Sequence, residues 1–148
     1  MSLAGGVGDC VFCRIAAGTA EASLVFQDER TLAFLDHRPL FPGHCLLMPR
    51  LHAATLADLP GELLQPLFGV AQRLTTALER ALGAHGSFVA INNRVSQSVP
   101  HLHVHVVPRR RKDGLKGFFW PRQKYRDEAE MEAVAEALRA GVARLKSR

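Results

Sequence analysis

The residues best placed to do chemistry are three histidines at every second position, in His101-Leu102-His103-Val104-His105. Val106-Val107 continues the apolar run to Pro108. Such alternation predicts a strand over residues 101–107, in which successive side chains point to opposite faces. The imidazoles then share one face while Leu102, Val104 and Val106 fill the other. Neighbouring imidazoles on that face stand about 6.6 Å apart and the outer pair about 13 Å apart. Two of them can share a metal ion, but three on a regular strand cannot converge on one. A row of imidazoles suits another task, in which one attacks an anionic centre while its neighbour binds that centre's oxygens. An ordinary pKa of about 6.5 keeps the attacking ring neutral near neutral pH. Chance placement of three surface histidines is the competing explanation.

The elements that must position these side chains are legible around them. A helical turn is predicted over residues 10–17, ended by Gly18. Short β runs follow at 23–27 and 31–36, separated by the turn-forming Asp28-Glu29-Arg30. Two prolines and Gly43 make residues 37–43 a loop, and a third strand covers 44–48. A long helix is predicted over 60–82, with Asp58 as its cap and Gly83 as its stop. Its stripe is Leu63, Leu67, Val70, Leu74, Leu78 and Ala81. A fourth strand at 87–91 and a polar loop at 92–100 lead into the histidine strand. A last helix, 127–145, carries Met131, Val134, Leu138, Val142 and Leu145 as its buried stripe, with acids at its start and bases near its end to match the helix dipole. Strands in a run with one inserted helix indicate an α+β fold, an antiparallel sheet of about five strands with a long inserted helix and a C-terminal helix. Residues 1–9 read as a flexible N-terminus and residues 10–148 as a single domain.

The 148 residues suffice for a real core. No apolar run reaches the roughly 18 residues of a membrane span, and a signal-peptide pattern is missing, so a cytoplasmic location is the default expectation. The net charge of +5 favours anionic ligands. The basic residues concentrate in Arg109-Arg110-Arg111-Lys112 and between Lys116 and Arg126, either as solvated loop charge or as phosphate attraction beside the site. Without a helix-turn-helix, finger or RNP-like pattern, nucleic-acid binding is a weak reading. Three cysteines argue against a disulfide framework. Cys10-Val-Phe-Cys13 lacks a thioredoxin-like context but supplies half of a tetrahedral zinc site. Cys45 reads as a small core residue.

Taken in order, Cys10-x-x-Cys13, Phe34-Leu35-Asp36, Pro42-Gly43-His44, Gln97-Ser98 and His101-x-His103-x-His105-Val-Val resemble the histidine triad (HIT) family, over residues 10–108. The resemblance implies nucleotidyl transfer or hydrolysis at the α-phosphate of a nucleotide, through a covalent nucleotidyl-histidine. By position His103 is the nucleophile and His105 binds phosphate oxygens. A main-chain carbonyl near His101 fixes the tautomer of His103. Ser98 bonds the phosphate or leaving group and relays its proton, and His44 is an orienting contact. Asn92 and Gln97 match polar residues of the phosphate site, with turn-forming polarity as the alternative for these and for Ser98. Asp36 matches the acceptor of the ribose hydroxyls. Phe12, Ile15 and Phe34 match the wall of a nucleobase slot, with ordinary core packing as the alternative.

His52 and His101 match the histidines that complete a zinc site with Cys10 and Cys13 in zinc-containing members. Zinc would then be structural, and no catalytic metal is required; free buried thiols are the alternative. The substrate class implied is a small nucleotide conjugate, a purine phosphoramidate or dinucleoside polyphosphate. In the latter case Arg109, Arg110 or Lys112 would hold a second anionic arm and Phe118-Phe119-Trp120 a second base. A homodimer with continuous sheets is the implied assembly. Competing classes are a nucleotide-binding scaffold with little catalysis, a transferase passing the nucleotidyl group to phosphate, and a basic nucleic-acid binder, whose affinity would depend strongly on salt.

Overall fold

A computed structural model describes residues 7–115 and 122–145 of the chain. The chain divides into two compact units, 1–111 and 112–148. In the first, a turn at Val7–Asp9 precedes α1 (Val11–Ala16), β1 (Leu24–Gln27), β2 (Thr31–Leu35) and β3 (Cys45–Pro49). Then come α2 (Leu64–Leu82), β4 (Gly86–Ile91) and β5 (Val104–Arg109). The strands form one antiparallel sheet in the order β1-β2-β3-β5-β4. The α+β architecture is the one expected from the sequence.

Period-two alternation sends each strand's side chains to two different layers. Cys45 and Leu47 of β3, Ala33 of β2 and Val104 and Val106 of β5 meet the buried stripe of α2, namely Leu67, Val70, Ala71, Leu74 and Leu78. Leu32, Phe34, Leu46 and Met48 face the other way, onto Cys10, Phe12 and Ile15 of the α1 segment. Burying each large aliphatic side chain contributes about 1.5–3 kcal/mol, so the α2 layer is the main anchor of the sheet. The opposite layer is covered only in part, and the site opens there. Arg50 holds α1 in place by donating from Nη1 to Ala16 O at 3.0 Å and from Nε to Asp28 O at 2.6 Å.

The details correct several expectations. The long helix begins at Leu64, later than residue 60, because two 3-10 turns, Leu56–Asp58 and Gly61–Leu63, precede it. Asp58 serves the first of these turns by accepting from Thr55 N and Thr55 Oγ1. Gly83 does end α2, at φ +69. The histidine strand starts at Val104, later than residue 101, because the Leu102 amide donates to Ala53 O at 2.7 Å instead of to a neighbouring strand. Cys45 is buried in the core, as expected.

The second unit holds α3 (Glu128–Arg144), capped by Asp127 accepting from Glu130 N at 2.8 Å. Its apolar stripe is not buried: Met131, Val134, Leu138, Val142 and Leu145 are all exposed. The unit has no second described helix or strand for a stripe to pack on. Among the described residues no helix is long and apolar enough to cross a membrane. Phe118, Phe119 and Trp120 lie outside the described residues.

Candidate active site and metal cluster

The site is built on one cross-strand row. Phe34 of β2 pairs with Leu46 of β3, and Leu46 pairs with His105 of β5, so the three side chains stand together on the partly covered face. The segment before β5 brings His103 alongside, with ring centroids 5.0 Å from His105. His103 itself lies just before the ladder, since β5 starts at Val104. Phe12 of α1 meets His103 edge-on at 5.0 Å and Phe34 at 5.3 Å. Around them is a cavity of about 1080 Å³. Its lining includes His103, His105, Ser98, Asp36, Phe12, Ile15 and Phe34.

Hydrogen bonds decide what each imidazole presents. His103 Nδ1 lies 2.7 Å from His101 O, and only an N–H can donate to a carbonyl. The proton of neutral His103 is therefore on Nδ1, and Nε2 keeps a bare lone pair. This is the geometry that a main-chain carbonyl near His101 was expected to supply. His105 Nδ1 lies 2.9 Å from Nε2 of His44, which sits behind it, 3% exposed. Burial, then the neighbouring His103 and His44, pushes the His105 pKa down to about 4, against the opposing pull of Asp36. Burial also lowers His44. Both rings are neutral at physiological pH.

The polar loop is divided. Ser98 lines the cavity. Gln97 turns inward, donating from Nε2 to Ala54 O at 2.6 Å and accepting from Arg94 N at 2.8 Å. Asn92 is exposed and does not line the cavity, while its neighbour Asn93 accepts from Leu56 N. Arg94 and Ser96 take left-handed conformations, at φ 69 and φ 60, which the Gln97 and Asn93 anchors hold in place. Sequence reasoning missed residues 18–24 and His37 as cavity lining. A loop wall carries no periodic signal, so nothing local marks it.

A second cluster lies behind the triad. Cys10, Cys13, His52 and His101 bring one donor atom each to within 4.8 Å of one another. His101 donates from Nε2 to Pro49 O at 2.8 Å, which leaves its Nδ1 lone pair facing Cys10 Sγ at 3.4 Å and Cys13 Sγ at 3.5 Å. His52 Nδ1 is 3.3 Å from Cys13 Sγ. Nitrogen and sulfur ligands of tetrahedral zinc stand about 3.6 Å apart, given Zn–N near 2.05 Å and Zn–S near 2.3 Å. The four donors fit that spacing. Burial, with Cys10 alongside, pushes the Cys13 thiol up to about 11, so binding would have to release protons. Asp36, His44 and His105 form another cluster of donors. There Leu40 N donates to His44 Nδ1 at 3.1 Å, which puts the His44 proton on Nε2, the atom that would have to ligate. That cluster fits a metal poorly.

Residues 17–112 match the model of the HIT domain. The chain belongs to the histidine triad family. Its relatives include an uncharacterised HIT-like protein of Mycobacterium tuberculosis, 37% identical over 139 residues, covering 90% of this chain and 93% of that one. An adenylylsulfatase of Arabidopsis thaliana is 32% identical, covering 72% of this chain and 55% of that one. An adenosine 5′-monophosphoramidase of Saccharomyces cerevisiae is 33% identical, covering 78% and 72%. Among solved structures, a zinc-bound HIT family protein of Mycobacterium smegmatis superposes with a TM-score of 0.71 at 38% identity, covering 91% of this chain and 99% of that one. A Streptococcus mutans protein superposes at 0.84, with 32% identity and 95% and 89% coverage. The HIT match begins at residue 17, so Cys10 and Cys13 lie ahead of it.

Proposed function

We propose that this HIT protein is a nucleotide hydrolase that releases a nucleoside monophosphate from a small nucleotide conjugate. The observation that carries the reading is the His103 Nδ1 to His101 O bond, which leaves a bare Nε2 on a ring that lines the cavity. In the first step Nε2 forms a bond to the α-phosphorus as the bond to the leaving group breaks. The leaving group takes a proton from solvent, relayed through the Ser98 hydroxyl. In the second, water attacks the phosphorus, its proton returns along the same route, and the P–N bond to His103 breaks. His105 stabilises the charge that grows on the phosphate oxygens. Asp36 accepts from the ribose hydroxyls, and Phe12, Ile15 and Phe34 wall the base. The adenylyl substrates named for the Arabidopsis and yeast relatives support a purine nucleotide here.

Zinc on Cys10, Cys13, His52 and His101 belongs to the same proposal, supported by the fit of the donors and the zinc-bound relative. Bound there, it would fix the start of α1 against residue 101 without touching the phosphate. A homodimer is supported by the place of β4 at one end of the strand order among the described residues, with Val89 of β4 and Leu64 and Phe68 of α2 exposed.

The test is AMP release from adenosine 5′-phosphoramidate, adenylyl sulfate and diadenosine tetraphosphate by the wild type and by His103→Ala. Turnover lost in the variant supports the reading, and the preferred substrate names the subclass. Nucleotide binding without turnover of any of the three by the wild type overturns it.

A further inference from the structure

The cavity-facing proton of the third triad histidine is fixed from a backbone amide outside the triad. Leu40 N donates to His44 Nδ1 at 3.1 Å, and His44 Nε2 stands 2.9 Å from His105 Nδ1. A backbone amide can only donate. Neutral His44 must therefore accept at Nδ1 and carry its proton on Nε2. That proton points at His105 Nδ1, which must accept in turn, so the proton of His105 is on its own Nε2. We infer that the Leu40 amide, acting through His44 as a positioning residue, locks His105 as a permanent Nε2–H donor toward the cavity.

The groups around the pair agree with this direction. Asp36 Oδ2 is 3.7 Å from His44 Nε2, beyond hydrogen-bond reach, so His105 is the nearer acceptor. Asp36 Oδ1 is already engaged by Arg38 N at 2.9 Å. His103, the remaining titratable neighbour, gives its own Nδ1 proton to His101 O and offers no proton to His105. Two adjacent rings thus present opposite ends of an imidazole, a bare nitrogen on His103 and an N–H on His105. An unlocked His105 would spend part of its time turning a lone pair toward an anionic phosphate.

The turn that presents the Leu40 amide is seated firmly. His44 N donates to Phe41 O at 3.0 Å, and Asp36 N to His44 O at 2.9 Å. Gly43 has φ +105, and a Cβ there would stand 2.6 Å from Leu82 Cδ1 and 3.3 Å from Pro108 Cγ. The glycine lets the turn pack directly on the end of α2, which sets the distance from Leu40 to His44.

What His105 donates to rests on the hydrolase reading, but its tautomer does not, and the two are tested apart. Long-range proton–nitrogen NMR of protein labelled with ¹⁵N-histidine reads the tautomer of each ring directly. The expected result is Nε2–H for His44 and His105 and Nδ1–H for His103. A His105 that carries its proton on Nδ1, or averages between tautomers, overturns the inference. His44→Leu removes the donor and should leave His105 averaging, with kcat down about tenfold, the equivalent of one hydrogen bond, and KM little changed. His44→Gln places an amide N–H near the Nε2 position and should recover most of that loss. A His105 still locked in His44→Leu refutes the relay, as does failure of His44→Gln to recover either signal or rate. Absence of wild-type turnover would sink the hydrolase reading while leaving the tautomer result standing.

Discussion

Keeping His105 neutral has a measurable consequence for acid stability. Its pKa is ordinarily 6.5 and is held at about 4 in the folded chain, chiefly by burial. The unfolded chain therefore takes up this proton first as the pH falls. The contribution is fully present above pH 6.5, is lost progressively toward pH 4, and levels off below that. At 1.36 kcal/mol per pH unit the full interval is worth about 3 kcal/mol, and about 2 kcal/mol after allowing for solvent at the cavity mouth. That is a sizeable part of the 5–15 kcal/mol typical of a domain. The perturbation is His105→Asn, which removes the titrating group and keeps an acceptor for His44 Nε2–H. Urea unfolding of both proteins at half-unit steps from pH 7.5 to pH 4.5 gives the comparison. His101, also lowered by burial, titrates in both proteins and cancels in the difference, while His44, 2.9 Å from His105, is read together with it as one pair. The wild type should lose about 2 kcal/mol more than the variant across that range. Parallel curves would refute the account of His105 as a ring kept neutral by burial.

Four further outcomes follow from the geometry. If the proposed zinc site is filled, elemental analysis should find less zinc in Cys13→Ser than in the wild type, and Tm should fall, because one of the four candidate donors is lost. Since the His101 carbonyl orients His103, zinc removal by a strong chelator should depress kcat more than it raises KM. Leu74→Ala, in the centre of the α2 stripe and 6% exposed, should cost about 2–5 kcal/mol in denaturant unfolding while leaving KM within a factor of two. Gln97→Leu should cost about 0.5–1.5 kcal/mol, because Ala54 O and the exposed Arg94 N lose a partner that water only partly replaces. If Gln97 instead contacts the phosphate directly, the variant's defect will appear in KM with stability unchanged.

The residues themselves carried much of the answer. Alternation around residues 101–107 put His103 and His105 on one face and Val104 and Val106 on the other, since side-chain direction along an extended chain is set locally. The α2 stripe and its stop at Gly83 were legible for the same reason, a helical period and one residue that tolerates positive φ. The order of motifs from Cys10 to His105 pointed to the HIT family before any contact was known. What the tertiary structure alone decided concerns partners far apart in the chain. The Cys/His donor cluster joins Cys10 to His101 across 91 residues, and the bare nitrogen of each histidine depends on acceptors or donors at Pro49, His101 and Leu40. Gln97 turned toward Ala54, and the α3 stripe, a sound amphipathic pattern, stayed exposed. A pattern tells a side chain which face it occupies, whereas a tautomer, a ligand set or a buried stripe is fixed by whatever the fold brings against that face.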